Sequence, residues 1–323
     1  MKGYQFEDTQ GTFHLKKAEN ISYLYFPIAG EAGLKSSFTP NLGGDAKIDQ
    51  NTFLLEPVSA ENLVNNRNSR NFWCNVKGIG SWSLTGHSAE ELSKKFTEMQ
   101  DDSEVTAGFM WQKTTRESKK YQLRGEILSF IPVDKNVEIM LVTITNTGLM
   151  AQTVTPTAAI PLYGRSADNI RDHRHVTSLL HRIETTDTGV LVTPTLSFDE
   201  RGHQVNHMTY YCVGWSGNGE KPVDFYPTAE DFVGEGGNFE RPYAIVKNAE
   251  GVKAGTKIEG LEAVGGLHFS EITLEPEEEC SYLIFTGITE DIQEIRNLSK
   301  TYTTREKVLE ELEKTKAYWQ EKV

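Results

Sequence analysis

Residues 120–164, KYQLRGEILSFIPVDKNVEIMLVTITNTGLMAQTVTPTAAIPLYG, constrain the fold more than any other stretch. They hold three consecutive strand-like runs with no helical period between them. In 137–146, Val137, Ile139, Leu141 and Ile144 are interspersed with Glu138, Thr143 and Thr145, and β-branched residues suit a pleated, half-buried surface. Asp134-Lys135-Asn136 and Asn146-Thr147-Gly148 have the composition of turns. The stretch reads as a three-stranded β-meander, which cannot bury its apolar face alone, so a second sheet must come from the rest of the chain.

That rest supplies short β-rich runs broken by many of the 27 Gly and 11 Pro. Thr12–Lys16, Ile21–Ile28 and Leu34–Phe38 form an opening sheet, and Ser59–Asn65 a brief helical turn. Phe72–Val76 and Ser81–Thr85 form a hairpin joined at 77–80. Gly86–Glu91 reads as the start of a short helix with an apolar stripe of Leu92, Phe96 and Met99, and Thr115–Lys119 reads as a polar turn. Arg165–Arg182 is charge-dense and helix-compatible, with Ser166 as N-cap. After strands at 183–186, 189–193 and 208–216, Gly217–Gly260 reads as a large ordered loop with a helix at Thr228–Val233. Gly266–Leu274 and Cys280–Gly287 make a last hairpin across an acidic turn. The period then changes to 3.6, with Ile292, Ile295 and Leu298 on one helix and Val308, Leu312 and Trp319 on another. The expectation is a mainly β, two-sheet antiparallel sandwich over 1–288, followed by linker helices over 289–323.

A net charge of −13 without a basic cluster argues against nucleic acid and anionic membrane as partners. Cys74, Cys212 and Cys280 lie far apart, as suits reduced thiols in a cytoplasm. Neither an apolar leader nor a run of 18 apolar residues occurs, so a soluble, unexported chain is expected. Rossmann, Walker and Gly-x-Ser-x-Gly patterns are missing. His173, His175 and His181 are flanked by Arg or Asp rather than by further ligands, and no metal site is expected. The acidic pairs Asp101-Asp102, Asp199-Glu200 and Glu230-Asp231 sit beside turn residues, where carboxylates are ordinarily solvated rather than paired as a glycosidase acid and base.

Two polar segments remain as candidate sites. In Asn65–Trp73, Arg67 and Arg70 bracket Asn66, Asn68 and Ser69 ahead of two aromatics. In Ala167–His175, Asn169, Arg171, Arg174 and His175 offer donors and Asp172 an acceptor. Each composition suits sugar hydroxyls or a domain or subunit contact. A polar network that only fixes a loop is the alternative for each.

The stretches YFPIAGEAGLKSSFTPNLGGDAKIDQNTFLLEPVSAENL, NRNSRNFW and LYGRSADNIRDHRHVTSLLHR resemble the N-terminal domain of glycoside hydrolase family 94, the inverting glycoside phosphorylases, and in particular its 1,2-β-oligoglucan phosphorylase branch. The likeness runs from about Tyr23 to Gly287, and EKVLEELEKTKAYWQEKV is similar to the linker that follows that domain. The resemblance implies a galactose-mutarotase-like β-supersandwich, then linker helices, then an (α/α)6 barrel. In that family the barrel holds the general acid, and inorganic phosphate is the co-substrate. No catalytic residue and no cofactor are therefore expected in this chain. The expected role is a non-catalytic domain helping to form a dimer and the rim of the β-glucan site. A freestanding carbohydrate-binding or assembly module is the alternative. A third reading, a sugar epimerase, would need His173 or His207 to face a Glu in an open concave sheet.

Overall fold

The computed structural model describes residues 4–21, 24–58, 67–199 and 202–323. The helical turn expected at Ser59–Asn65 lies outside them, as does part of the Asn65–Trp73 segment. Sheets of eleven and six strands, antiparallel throughout, enclose the main core. The strand Val137–Asn146 is buried at every position. Met140, Val142 and Ile144 point into the space between the sheets, while Val137, Ile139 and Leu141 point the other way. Side chains alternate between faces along a strand, so both faces of this one must be covered.

The expected meander does not form. Leu123–Phe130 pairs with Val137–Asn146, but the next strand, Gln152–Leu162, crosses to the six-stranded sheet and pairs with Asn71–Val76 and Ala263–His268. The far edge of Val137–Asn146 is taken instead by Glu279–Thr289. The expected hairpin of 266–274 with 280–287 is likewise split, because Ala263–His268 and Ile272–Leu274 pair with Gln152–Leu162 in the six-stranded sheet. One buried side chain ties both crossings together. Asn146 Nδ2 donates to the carbonyls of Met150 (2.8 Å) and Leu274 (2.9 Å), and its Oδ1 accepts from the Gly148 N–H at 2.9 Å. Its backbone also exchanges hydrogen bonds with Glu278 and Glu277.

Asn71–Val76 and Gly80–Ser83 do pair as a hairpin. Thr115–Ser118 is not a turn but the end of the strand Trp111–Ser118, whose partners on both sides continue the ladder. The helix capped by Ser88 spans only Ala89–Ser93, and its supposed apolar stripe, Leu92, Phe96 and Met99, is exposed. The 217–260 excursion is more regular than expected: it contains the strand Asp224–Thr228, helices Ala229–Val233 and Tyr243–Lys247, and the strand Lys257–Glu259.

Each sheet is covered on its outer face. Ile295 and Leu298 of the helix Ile292–Thr301, Tyr302, and Val308 and Leu312 of the helix Arg305–Lys322 cover the eleven-stranded sheet. There Trp215 Nε1 donates to the Tyr302 carbonyl at 3.0 Å. Over the six-stranded sheet, Phe232, Ala244 and Ile245 from the excursion pack on Trp73, Ala159 and Val264. This second cover is incomplete, and the gap it leaves is the candidate site. Among the described residues no helix is long and apolar enough to cross a membrane.

Candidate functional site

The two polar segments meet at a pair of carboxylates that the sequence reading did not single out. Glu56 follows the strand Thr52–Leu55 and is 2% exposed. It accepts both terminal nitrogens of Arg174, Nη1 at 3.0 Å, and the backbone N–H of Arg67 at 2.8 Å. Glu262 accepts Arg67 Nη1 and lies 3.9 Å from Arg174 Nη1. Burial lowers the pKa of the Arg174 guanidinium, but Glu56 outweighs it and carries the net value above the ordinary one. The chain delivers Arg174 here because residues 163–165 are stitched to 53–54 by Tyr163 N–H to Leu54, Gly164 N–H to Phe53 and Phe53 N–H to Arg165. Gly164 makes the turn with φ of 61°.

A cavity of about 710 Å3 opens beside these arginines, over the outer face of the six-stranded sheet. Trp73, Ala159 and Pro161 form its base; Phe232 and Phe239 from the excursion form a wall. Across it His87 Nε2 lies 3.2 Å from Glu240 Oε1. That hydrogen bond holds the Glu240 carboxyl below the usual glutamate range, against the opposing effect of burial. Glu230 and Glu235 also border the space, exposed to water.

Of the residues chosen from sequence, Arg67, Arg174 and His175 line this cavity. Asn169 does not. It is buried, donates to Asp172 Oδ2 at 2.8 Å and accepts from the Ser166 hydroxyl at 3.2 Å, and so holds the 3-10 turn Ala167–Arg171. Arg171 and Asp172 are exposed away from the cavity lining. Arg70 is sealed in the interior: Nε donates to Glu138 Oε1 at 2.5 Å, Nη1 to the Gly44 carbonyl at 2.9 Å, and the guanidinium lies 4.1 Å from the Phe38 ring centroid. It serves the loop-fixing network that was the alternative for its segment. Neither His173 nor His207 lines the cavity.

The acidic pairs part company too. Asp101 is not solvated but buried, accepting the Trp82 indole N–H at 2.8 Å, and Asp231 hydrogen-bonds Thr228 at the start of a helix. Glu200 lies outside the described residues. The residues missed from sequence, Glu56, His87, Glu240 and Glu262, carry no local signal: Arg67 and Glu262 are 195 positions apart.

Fold and cleft define a mainly β protein of two antiparallel sheets enclosing one core, with an open cavity on one outer face. The chain belongs to the glycosyl hydrolase 94 supersandwich-domain family, whose model matches residues 55–305. No curated relative matches it by sequence. Among solved structures it is similar to a protein assigned as an aldose 1-epimerase from Escherichia coli K12, at 9% identity and a TM-score of 0.43, covering 82% of this chain and 99% of that one. It is also similar to a bacterial glucoamylase complexed with acarbose, at 10% identity and a TM-score of 0.43, where 95% of this chain spans 37% of that one.

Proposed function

We propose that this chain is the non-catalytic N-terminal sandwich of a cytoplasmic 1,2-β-oligoglucan phosphorylase. In this reading it docks on the catalytic barrel of the same enzyme, takes part in a homodimer and supplies Arg67, Arg174 and His175 to the rim of the β-glucan site. Inorganic phosphate acts in the barrel. Family membership supports the reading, and the observation that carries the non-catalytic part is the state of the cavity's acids. A general acid for a glycosidic oxygen must hold its proton at neutral pH, which requires a raised pKa. Glu240 is shifted the opposite way, Glu262 is engaged by Arg67, and Glu230 and Glu235 stand exposed to water.

The test is to incubate the chain, alone and joined to its barrel, with β-1,2-gluco-oligosaccharides and phosphate. The chain alone is expected to release no glucose 1-phosphate above a no-protein blank. In the joined enzyme Arg174→Ala should weaken glucan use by about 1–3 kcal/mol, the range for a lost charged hydrogen bond. Release of glucose 1-phosphate by the chain alone refutes the reading. A freestanding carbohydrate-binding module is the second reading, favoured by a cavity of about 710 Å3 whose aromatic wall and paired arginines could take a sugar without chemistry.

A further inference from the structure

We infer that a small chamber behind Arg67 and Arg174 binds one chloride-sized anion on the guanidinium of Arg165. The site centres on a residue outside the proposed rim and does not rest on the phosphorylase reading. Arg165 is 6% exposed, and its carbonyl accepts the Phe53 N–H at 3.0 Å. Its guanidinium carbon lies 5.0 Å from the Tyr163 ring centroid, a cation–π contact that covers one face of the group. The N–H edge has no comparable cover. Nε is sealed from water without an acceptor, and Nη1 and Nη2, which do reach open space, hydrogen-bond to none of the described residues.

The charge of this side chain is what calls for an anion. An arginine keeps its proton at any physiological pH, so burial cannot be relieved by deprotonation as it can for a lysine. A buried charge without a counter-charge is costly. In the same chamber wall Arg174 is matched by Glu56 and Arg67 by Glu262. Arg165 feels both carboxylates only at a distance. Burial carries its pKa below the ordinary value, whereas Glu56 carries that of Arg174 above it. Three guanidinium groups against two carboxylates leave the lining with one positive charge. His181 adds none, since burial and then the Arg165 charge push it down to about 3, and His175 borders the larger cavity rather than the chamber.

Size selects the kind of anion. The chamber holds about 20 Å3 and shares Arg67, Pro161, Arg174, Phe239 and Glu262 with the larger cavity, which places it at that cavity's inner end. One water needs about 10–15 Å3 of such space, so there is room for a monatomic ion and none for phosphate, whose four oxygens are each about the size of a water. A water in the chamber would satisfy the Arg165 N–H groups but leave the charge unmatched. A halide does both.

The test uses bromide as the crystallographic probe and chloride as the solution probe. Crystals grown in bromide should show one anomalous peak within hydrogen-bonding distance of Arg165 Nη1 or Nη2. At fixed pH and ionic strength, replacing the bulky anion gluconate by chloride should raise the melting temperature by about 2–4 °C once chloride exceeds its dissociation constant about tenfold. Arg165→Met removes the charge and keeps an apolar side chain of similar length, and should abolish both the peak and the chloride response. Without chloride this variant should melt no lower than the parent, because no buried pair is broken. Absence of the bromide peak, an equal chloride response in Arg165→Met, or displacement of bromide by inorganic phosphate would each overturn the inference. A bromide peak without a chloride-dependent melting temperature would mean binding at crystal concentration only, and would overturn it too. If Arg165→Met does not fold, the bromide map and the chloride series on the parent decide.

Discussion

Arg70 and Glu138 offer a sharp test of how the interior is held. Both side chains are 0% exposed. Arg70 grips the carboxylate twice, Nε to Oε1 at 2.5 Å and Nη2 to Oε2 at 3.1 Å, while the Ser36 hydroxyl donates to Oε2 at 2.7 Å. The Gly44 carbonyl that accepts Nη1 is placed by a turn only glycine can make: φ is 111°, and a Cβ there would stand 2.0 Å from the Ser37 carbonyl oxygen. Arg70→Ala would leave Glu138 buried without its cation, and removing one partner of a buried pair costs about 3–5 kcal/mol. The double replacement Arg70→Met with Glu138→Leu removes both charges and should recover most of that loss, since an apolar pair of similar volume is often as stable as the ion pair. Urea denaturation measures both, with an unchanged m-value confirming that the unfolding transition is the same. A loss below about 1 kcal/mol in Arg70→Ala would refute the argument. So would a normally stable variant that had lost saccharide affinity, because Arg70 would then be a ligand contact.

Deleting residues 304–323 strips Val308 and Leu312 from the eleven-stranded sheet, and should lower unfolding free energy by about 3–6 kcal/mol; an unchanged urea midpoint would mean that the helix contributes nothing. Asn146→Ala removes the side chain that spans both sheet crossings and should cost about 2–4 kcal/mol, read by the same denaturation. His181 is pushed down to about 3 by burial, with the Arg165 charge adding to it. An unfolded histidine titrates near 6.5, so the unfolded chain takes up a proton that the folded chain refuses as pH falls from about 6.5 towards 3. Stability should therefore drop across that window by up to about 1.4 kcal/mol per pH unit, and His181→Gln should show a shallower slope than the parent. Equal slopes would show that His181 is not buried as a neutral ring.

The strand content, the Asn71–Ser83 hairpin and the two C-terminal helices were legible because each depends on local period and turn chemistry. What misled was the meaning of a short turn. Asn146-Thr147-Gly148 and Glu275–Glu279 look like hairpin turns, yet each carries the chain from one sheet to the other. Turn composition states that the chain reverses, not whether the next strand lies beside the last or across the core from it. The candidate site divided in the same way. Arg67 and Arg174 could be picked by composition, but Glu56 and Glu262, which position them, are recognisable only once the fold brings them together. Arg70, three residues from Arg67 and identical in type, points into the core rather than the cavity. Nothing in the local sequence separates the two.

The strand Glu279–Thr289 sits in the middle of the eleven-stranded sheet, between Val137–Asn146 and Thr209–Ser216. On a ribosome this central plank is made long after the strands it joins. Until it emerges, Val137–Asn146 and Thr209–Ser216 each keep an unsatisfied edge of apolar β-structure, the kind of template on which nascent chains pair wrongly. Closure waits on contacts between residues more than a hundred positions apart, and such topologies assemble slowly. Synthesis of this sandwich thus passes through a long interval in which most of its strands exist and its larger sheet cannot. Fragments that stop short of Thr289 should behave as clients of chaperones rather than as smaller domains.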